Sequence, residues 1–501
     1  KTTANLSTGG TAIDVTDSVH PANIHIAERA IRIVGLDIGG VDIVAPDITT
    51  PLSENNGGIV ELNAAPGFRM HLQPTKGLPR NVAEPVIDML FPPGSSSTIP
   101  IIAVTGTNGK TTTTRLLNHI MKFVGHTVGM CTTEGVYIKN RLIYEGDMTG
   151  PLSHKMVLTD PTVDMAVLEC ARGGMLRAGL GFRYCDVGVV TNVSADHLGQ
   201  NYINDLEKMS RVKGIIPEVV KPDGYAILNA DDSLVAKMAN QTKGKVIYFS
   251  LDGKLNPVIK EHLKSGGMAV IFEEGVFCIM KGKWKYPLVE AKDVPLTFDG
   301  KARFNIANVL AAIGAAIAMG VKNENINAAL TTFFPSYSQT PGRLTMFDMG
   351  PYKALVDFAH NVAGYDALAE FVRSLNPKNS IATICLPGDR RDEDFQNVAK
   401  TVAETFNQVI LFEGYLRGKK TGYISNTLQK YLISYGMDSN KIEIIADEHD
   451  AVQYALDLAQ EGDLLVISNY DIEGIHNRLI EHKKIMETKE TKKHNPKVLE
   501  A

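Results

Sequence analysis

The sequence has no apolar run long enough to cross a bilayer, so no membrane-spanning helix is read from it. Cysteine is sparse. Cys131, Cys170, Cys185, Cys278 and Cys385 are odd in number, scattered and without paired spacing, which speaks against a disulfide framework and implies free, buried thiols in a reducing cytosol. Neither charge dominates. The formal net charge of −5 supplies no general electrostatic reason to bind nucleic acid. There is no internal repeat. No secretory leader is read either, although the chain opens on Lys1 rather than methionine, so its membership of a longer protein stays open.

What is present is ordinary for a globular chain: 44% hydrophobic and 21% charged residues over 501 positions, enough for roughly two to four domains. The stretch "FPPGSSSTIP" (Phe91 to Pro100) is the clearest linker, because proline, glycine and consecutive serines punctuate a chain and cannot build a core element. "IIAVTG" follows as a β-branched strand, and "NHIMKFVG" carries helical spacing that stops at Gly125. The apolar runs "DMAVLEC", "DVGVVTNV", "GYAILNADD" and "KVIYFS" alternate with helical stretches. That alternation predicts a doubly wound α/β domain with a mostly parallel sheet. "NIANVLAAIGAAIAMG" (Asn305 to Gly320) reads as an alanine-rich helix and "SQTPGRL" as a second hinge. "ALVDFAH", "SIATICLPGD", "QVILFEG" and "DLLVISN" predict a smaller α/β domain. The expected division is 1–93, 94–334, 335–483 and a charged tail, 484–501.

Between the strand "IIAVT" and the helix lies Gly-Thr-Asn-Gly-Lys-Thr, with Gly106, Thr107, Asn108, Gly109, Lys110, Thr111 and Thr112 in order. A glycine-rich turn there exposes backbone N–H groups, and the helix start adds a positive dipole end, so the loop is suited to phosphate. Lys110 would reach terminal phosphates and the Thr111 hydroxyl would serve Mg²⁺. The longer P-loop pattern has a glycine six residues before the lysine, and Val104 stands there. Glu169 closes a strand and His197 follows another. In doubly wound sheets ligands bind beyond the carboxyl ends of the strands, so Thr111, Glu169 and His197 are candidates to converge on a metal ion and a terminal phosphate. Singly, a strand-end acid or histidine is more often a structural polar residue; beside a phosphate loop that preference reverses.

The motifs "GTNGKTTT", "LECARGGMLRAGLG", "TNVSADHLG", "LNADD", "FNIANVLAA", "PGRL" and "DFAHN" resemble, in sequence and order, those of Mur ligases and folylpolyglutamate synthases. The resemblance covers Pro100 to about Lys483. It implies an ATP-dependent ligase that phosphorylates a carboxylate and lets an amine attack the acyl phosphate. By the same resemblance, Lys110 and Thr111 belong to the phosphate loop, and Glu169 and His197 to the Mg²⁺ site. Lys213, or alternatively Lys208, matches a lysine that many members carbamylate. Asn305 and Asn308 match adenine contacts, although Phe304 stands where the family usually has histidine. Arg343 matches an arginine that reaches the nucleotide across the hinge, and Asp357 and His360 match a motif near ribose and phosphate.

"GGVDIVAPDI" and "GGIVELNAAPG" resemble the end of an ATP-grasp domain. The resemblance implies that Asp42, Glu61 and Asn63 hold Mg²⁺ between the phosphates of a second ATP. Glu61 and Asn63, two apart on a strand, face one way. An ATP-grasp end joined to a Mur-like ligase resembles the cyanophycin synthetase family, which builds an aspartate backbone bearing arginine on each side chain. The expected fold is thus a Mur ligase-like, doubly wound parallel-sheet domain and a smaller C-terminal α/β domain, preceded by an α+β ATP-grasp remnant. The implied partners are L-arginine, L-aspartate and a cyanophycin primer, with ATP and Mg²⁺ as cofactors. A cytoplasmic homo-oligomer, a tetramer by resemblance, is implied, without nucleic acid or membrane. A related form joins preformed aspartyl-arginine dipeptides and has a degraded Mur-like nucleotide site; the intact loop here argues against it. Ninety residues are too few for a whole ATP-grasp domain, so the Mur-like half is expected to add arginine and the first part not to add aspartate by itself.

A guanidinium calls for paired carboxylates. "LPGDRRDEDF" offers Asp389, Asp392, Glu393 and Asp394 on an expected loop, with Asp392 and Glu393 as candidate arginine contacts; a solvated charged loop is an equal reading. Two rivals stay open, namely another Mur-type or folylpolyglutamate-type amino acid ligase and a non-catalytic nucleotide-binding scaffold.

Overall fold

The computed structural model describes residues 10–196, 203–468 and 470–494, and its chain divides into two compact units, Lys1–Thr98 and Ile99–Ala501. In the first unit a helix, α1 (Pro21–Val34), precedes an antiparallel pair, β1 (Gly40–Val44) and β2 (Gly58–Asn63). His20 caps α1 through its ring nitrogen and Gly35 ends it in the left-handed conformation. Among the described residues of this unit only Asn23 and Leu52 are buried, while Val44 and Val60 are each 68% exposed. So little apolar burial gives the unit almost no core of its own.

The second unit begins with β3 (Ile101–Thr105), every residue of which is buried, and continues into α2 (Lys110–Phe123). Leu116, Leu117, Ile120 and Met121 recur at helical spacing and are fully buried, which fixes the face that α2 turns to the sheet. The strands that follow are β4 (Val128–Thr132), β5 (Gly135–Ile138), β6 (Arg141–Glu145), β7 (Met165–Glu169), β8 (Cys185–Val190) and β9 (Val220–Asn229). After them come β10 (Lys245–Ser250), β11 (Met268–Glu273), β12 (Val276–Lys281) and β13 (Trp284–Glu290). They form one sheet in the order β13-β12-β11-β10-β9-β8-β3-β7-β4-β5-β6. From β11 to β4 the pairing is parallel, and an antiparallel hairpin closes each end. Helices α3 (Arg172–Ala178) and α4 (Leu206–Glu218) follow β7 and β8.

The alanine-rich helix α5 (Arg303–Ala318) lies against α2 and the β9–β11 part of the sheet. A Cβ on Gly314 would stand 3.0 Å from Ile227 Cγ2, so the small side chains let the helix sit close to the strands. The remaining strands, β14 (Thr345–Asp348), β15 (Lys353–Asp357), β16 (Asn379–Ile384), β17 (Gln408–Leu411), β18 (Ile442–Ile444) and β19 (Asp463–Ser468), make a second sheet ordered β14-β15-β19-β16-β17-β18. It is parallel except for β14. Helices α6 (Val362–Leu375) and α7 (Asp392–Ala403) cover it, and α8 (Ile472–His494) runs on past Lys483. The doubly wound, mostly parallel architecture is the one the alternating pattern predicts. One local expectation is corrected: Asp392, Glu393 and Asp394 are the first turn of α7 and not loop. Three acids suit that position because the helix start carries positive dipole charge. No helix among the described residues is long and apolar enough to cross a membrane.

Tyr365, Phe371, Phe395 and Phe412 are fully buried around the second sheet. Replacing Phe371 with alanine is expected to destabilise this part by about 3–5 kcal/mol, read as a lowered urea midpoint of its transition. An unchanged midpoint would show that Phe371 is not part of the core.

Candidate functional site

The parallel strands β3, β7 and β8 end together, and the loops beyond them open into a cleft of about 1150 Å³ shared with the second sheet's loops. The phosphate loop lines it. Gly109 has φ +84°, and a Cβ there would lie 2.1 Å from Asn308 Oδ1, so only glycine fits this turn. At Gly106 a Cβ would meet Thr191 Oγ1 at 1.8 Å. The loop's shape is dictated by its neighbour. Thr107 N donates to the Asn192 carbonyl at 2.9 Å, and Asn108 N to Asn192 Oδ1 at 2.9 Å. These two N–H groups are therefore committed to protein, and the groups left for an anion are those opening α2, which lack partners within the helix.

Lys110 Nζ donates to the Thr107 carbonyl at 2.9 Å. Thr111 Oγ1 donates to Glu169 Oε2 at 2.9 Å. Glu169 is fully buried, and its Oε1 has no hydrogen-bond partner among the described residues. Burial raises its pKa above the usual carboxylate range, with Lys110 pulling the other way. An unmatched buried carboxylate oxygen beside a threonine hydroxyl fits a hard cation such as Mg²⁺, which prefers oxygen and keeps several waters. No group of three His, Cys, Asp or Glu among the described residues is placed to hold a metal. His197 lies outside the described residues.

Lys213, on α4, is 3% exposed. Burial and the charge of Lys110 drive its pKa well below that of a free amine. Asp196 and Arg172 line the same cleft. Lys208 stands apart, exposed and paired with Asp205 at 3.6 Å. Asn308 lines the cleft. Asn305 stays behind it, donating from Nδ2 to the Leu296 carbonyl and accepting from Asn308 at 3.1 Å. Phe304 lines the cleft beside them.

The second sheet brings Arg343, Asp357 and His360 to the opposite wall. Arg343 donates to Thr133 Oγ1 at 3.3 Å, lies 3.7 Å from Glu134 and stacks over the Phe358 ring at 4.6 Å. Burial works to raise the Glu134 pKa, but Arg115, at 3.0 Å, and then Arg343 outweigh it and hold Glu134 ionised. Asp357 Oδ2 accepts from Leu344 N at 2.9 Å, and desolvation raises this carboxyl to about 6. His360 Nδ1 bonds the Phe358 carbonyl at 3.0 Å and is therefore the protonated nitrogen, while burial lowers the ring's pKa to about 4. Its Nε2 faces Asp196 at 3.9 Å. Arg390, 2% exposed, joins Asp196 at 3.0 Å across the seam.

The candidate arginine contacts are not brought to the cleft. Asp392 accepts from the Tyr431 hydroxyl at 2.7 Å, and Glu393 pairs with Arg391 at 3.3 Å on the outer surface. Asp389 lines the cleft in their place. In the first unit Asp42 sits opposite Glu61, and Asn63 Nδ2 donates to Asp42 Oδ2 at 3.3 Å, so these three side chains share one face of the β1–β2 pair. Asp196, Arg390, Glu134 and Arg115 escaped the sequence reading. Asp196 directly precedes the flagged His197, and Arg390 lies within the acidic stretch, so both were within reach; Glu134 and Arg115 carry no motif.

Models of the Mur ligase middle domain and of the Mur ligase glutamate ligase domain match residues 104–316 and 342–468. The chain is 52% identical over 468 residues to cyanophycin synthetase of Crocosphaera subtropica, covering 93% of this chain and 53% of that protein. It is 50% identical over 475 residues to that of Geminocystis herdmanii, covering 95% and 54%. It thus spans about half the length of the curated relatives it matches. A structure of E. coli FolC in complex with DHPP and ADP is similar with a TM-score of 0.55, 19% identity and coverage of 79% and 89%, a likeness of fold.

The two perturbed groups on the far wall titrate with opposite sign in one window. Asp357, raised, withdraws stability as pH climbs from its unfolded value near 3.8 to about 6. His360, lowered, withdraws stability as pH falls from 6.5 to about 4. The two contributions oppose each other there, and the variant Asp357→Asn isolates one arm, since its amide oxygen can still accept from Leu344 N. Its unfolding free energy minus that of wild type is expected to grow by about 2 kcal/mol between pH 4 and 6. A flat difference in paired urea titrations would mean that Asp357 ionises normally.

Proposed function

The chain belongs to the Mur ligase family, whose two domain models between them match more than half of it, and on that premise we propose that it joins an amino acid to a carboxylate at the expense of ATP. We take the carboxylate to be the aspartate side chain of a cyanophycin primer and the amino acid to be L-arginine. The observation that carries the reading is the bond from Thr111 to Glu169, with Glu169's second oxygen unmatched, at the mouth of an intact phosphate loop.

In this reading the N–H groups opening α2 bind the terminal phosphates, and Lys110 exchanges the Thr107 carbonyl for the γ-phosphate. Mg²⁺ at Thr111 and Glu169 would neutralise phosphate charge. The primer carboxylate attacks the γ-phosphorus, the bond to the β-phosphate oxygen breaks, and ADP and an acyl phosphate result. The arginine α-amine, deprotonated, attacks the acyl carbon. A tetrahedral intermediate then expels phosphate and leaves an isopeptide bond. Asn308 serves the base, and Arg343, Asp357 and His360 serve the nucleotide from the opposite wall. The wall excludes water that would hydrolyse the acyl phosphate. Lys213, whose pKa burial lowers, is suited to carbamylation, since only a neutral amine attacks CO₂. His197 would complete the cation's surroundings.

The first unit is read as the end of an ATP-grasp domain in which Asp42, Glu61 and Asn63 serve a second ATP for aspartate addition. The domain limits follow the sequence reading, with breaks near residues 93, 334 and 483, and the oligomer is proposed as a cytoplasmic homotetramer. A Mur-type or folylpolyglutamate-type ligase with another amino acid is the alternative. Phosphate release from ATP with a polyaspartate-type primer tests both: arginine should stimulate it, and Lys110→Ala should reduce the rate about a hundredfold or more. Equal release with glutamate or diaminopimelate in place of arginine would favour the alternative. No release with any amino acid would end the ligase reading.

A further inference from the structure

One contact across the cleft is neither ionic nor aimed at a ligand. Asn108 Nδ2 donates to Asn361 Oδ1 at 3.2 Å, and Asn361 Nδ2 donates to Asn108 Oδ1 at 3.0 Å. The two residues are 253 positions apart. Asn108 is the tip of the phosphate loop, and Asn361 is the N-cap of α6 on the second sheet.

Each partner is aimed by its own surroundings. The Asn108 backbone is held on both sides: its N–H donates to Asn192 Oδ1, and its carbonyl accepts from Thr191 Oγ1 at 2.7 Å and Asn192 Nδ2 at 3.0 Å. Asn361 is 2% exposed, and its Oδ1 also accepts from Gly364 N at 2.8 Å. Asn361 cannot swing away without losing its bond to Gly364 N, and the backbone that carries the Asn108 amide is fixed. Nearby contacts across the seam, from Arg390 to Asp196 and from Arg343 to Glu134, are charged and tolerate more variation in distance and angle than a doubly bonded amide pair. A neutral reciprocal pair also satisfies donors and acceptors on both sides, so it adds geometric demand without an unmatched group.

We propose that Asn361 is a positioning residue that, through Asn108, locks the phosphate loop to the second sheet, so that the loop and the opposite wall are held in register. This rests on the ligase reading above and adds to it a role for the loop asparagine's side chain that is directed at protein.

The variant Asn361→Ser separates the lock from the cap, because a serine hydroxyl still accepts from Gly364 N but is too short to reach Asn108. In hydrogen–deuterium exchange of the full chain, the peptide covering residues 105–112 should exchange about tenfold faster in N361S, with the melting temperature unchanged. In turnover, kcat should fall about tenfold with the KM for ATP held within about twofold. Asn108→Ala should reproduce the loss, and adding it to N361S should cost nothing further. Wild-type exchange of the loop peptide in N361S, or losses that multiply in the double variant, would overturn the lock. A wild-type chain that turns over no ATP would remove the ligase reading, while the exchange measurement still decides the lock.

Discussion

A carboxylate sealed from water with one oxygen unmatched is an expensive thing to keep. Among the described residues Glu169 is such a group, and the phosphate loop meets it directly. Its strand is flanked on both sides by parallel strands, which brings it to the carboxyl edge of the sheet beside the loop it serves. Thr111 engages one of its oxygens, and Lys110 opposes the burial that would neutralise it. Desolvation of this kind costs stability unless something pairs with the charge. A cation shared with nucleotide phosphates answers that cost, which is why the loop, the strand end and the helix start make chemical sense only together.

The second sheet contributes the complementary half. Its groups reach the same space through charge, stacking and amide pairing, and its perturbed acid and histidine are recessed on the wall opposite Glu169. Burial has moved their proton affinities past each other: a carboxyl near 6 and an imidazole near 4. At neutral pH this leaves one anion and one neutral ring beside Arg343 and Arg390, a set of charges suited to ordering a nucleotide. Asp196, held from the far side by Arg390, ties the loop after β8 to that wall.

Much of this was legible in the residues. The alternation of apolar strands and helical stretches carries the fold class, since the central strands, such as β3 and β7, are buried on both faces and read as continuous apolar runs. The phosphate loop was legible because its glycines answer steric demands that no other residue meets. Other parts were not. The acidic run at 389–394 looks the same as loop or as helix start, and only its place in three dimensions separates Asp389, in the cleft, from Asp392 and Glu393, outside it. Asn361 gave no sign of its partner, because a reciprocal bond over 253 residues depends on how two sheets meet. Glu134 and Arg115 are distinguished by burial and pairing alone, properties that sequence spacing does not encode.

The role given to Glu169 is open to direct observation. A crystal structure of the chain grown with a non-hydrolysable ATP analogue and magnesium should show the terminal phosphates against the N–H groups opening α2, with a cation bonded to Glu169 Oε1 and Thr111. Nucleotide density elsewhere, or phosphates in the loop with Glu169 still unengaged, would refute that role.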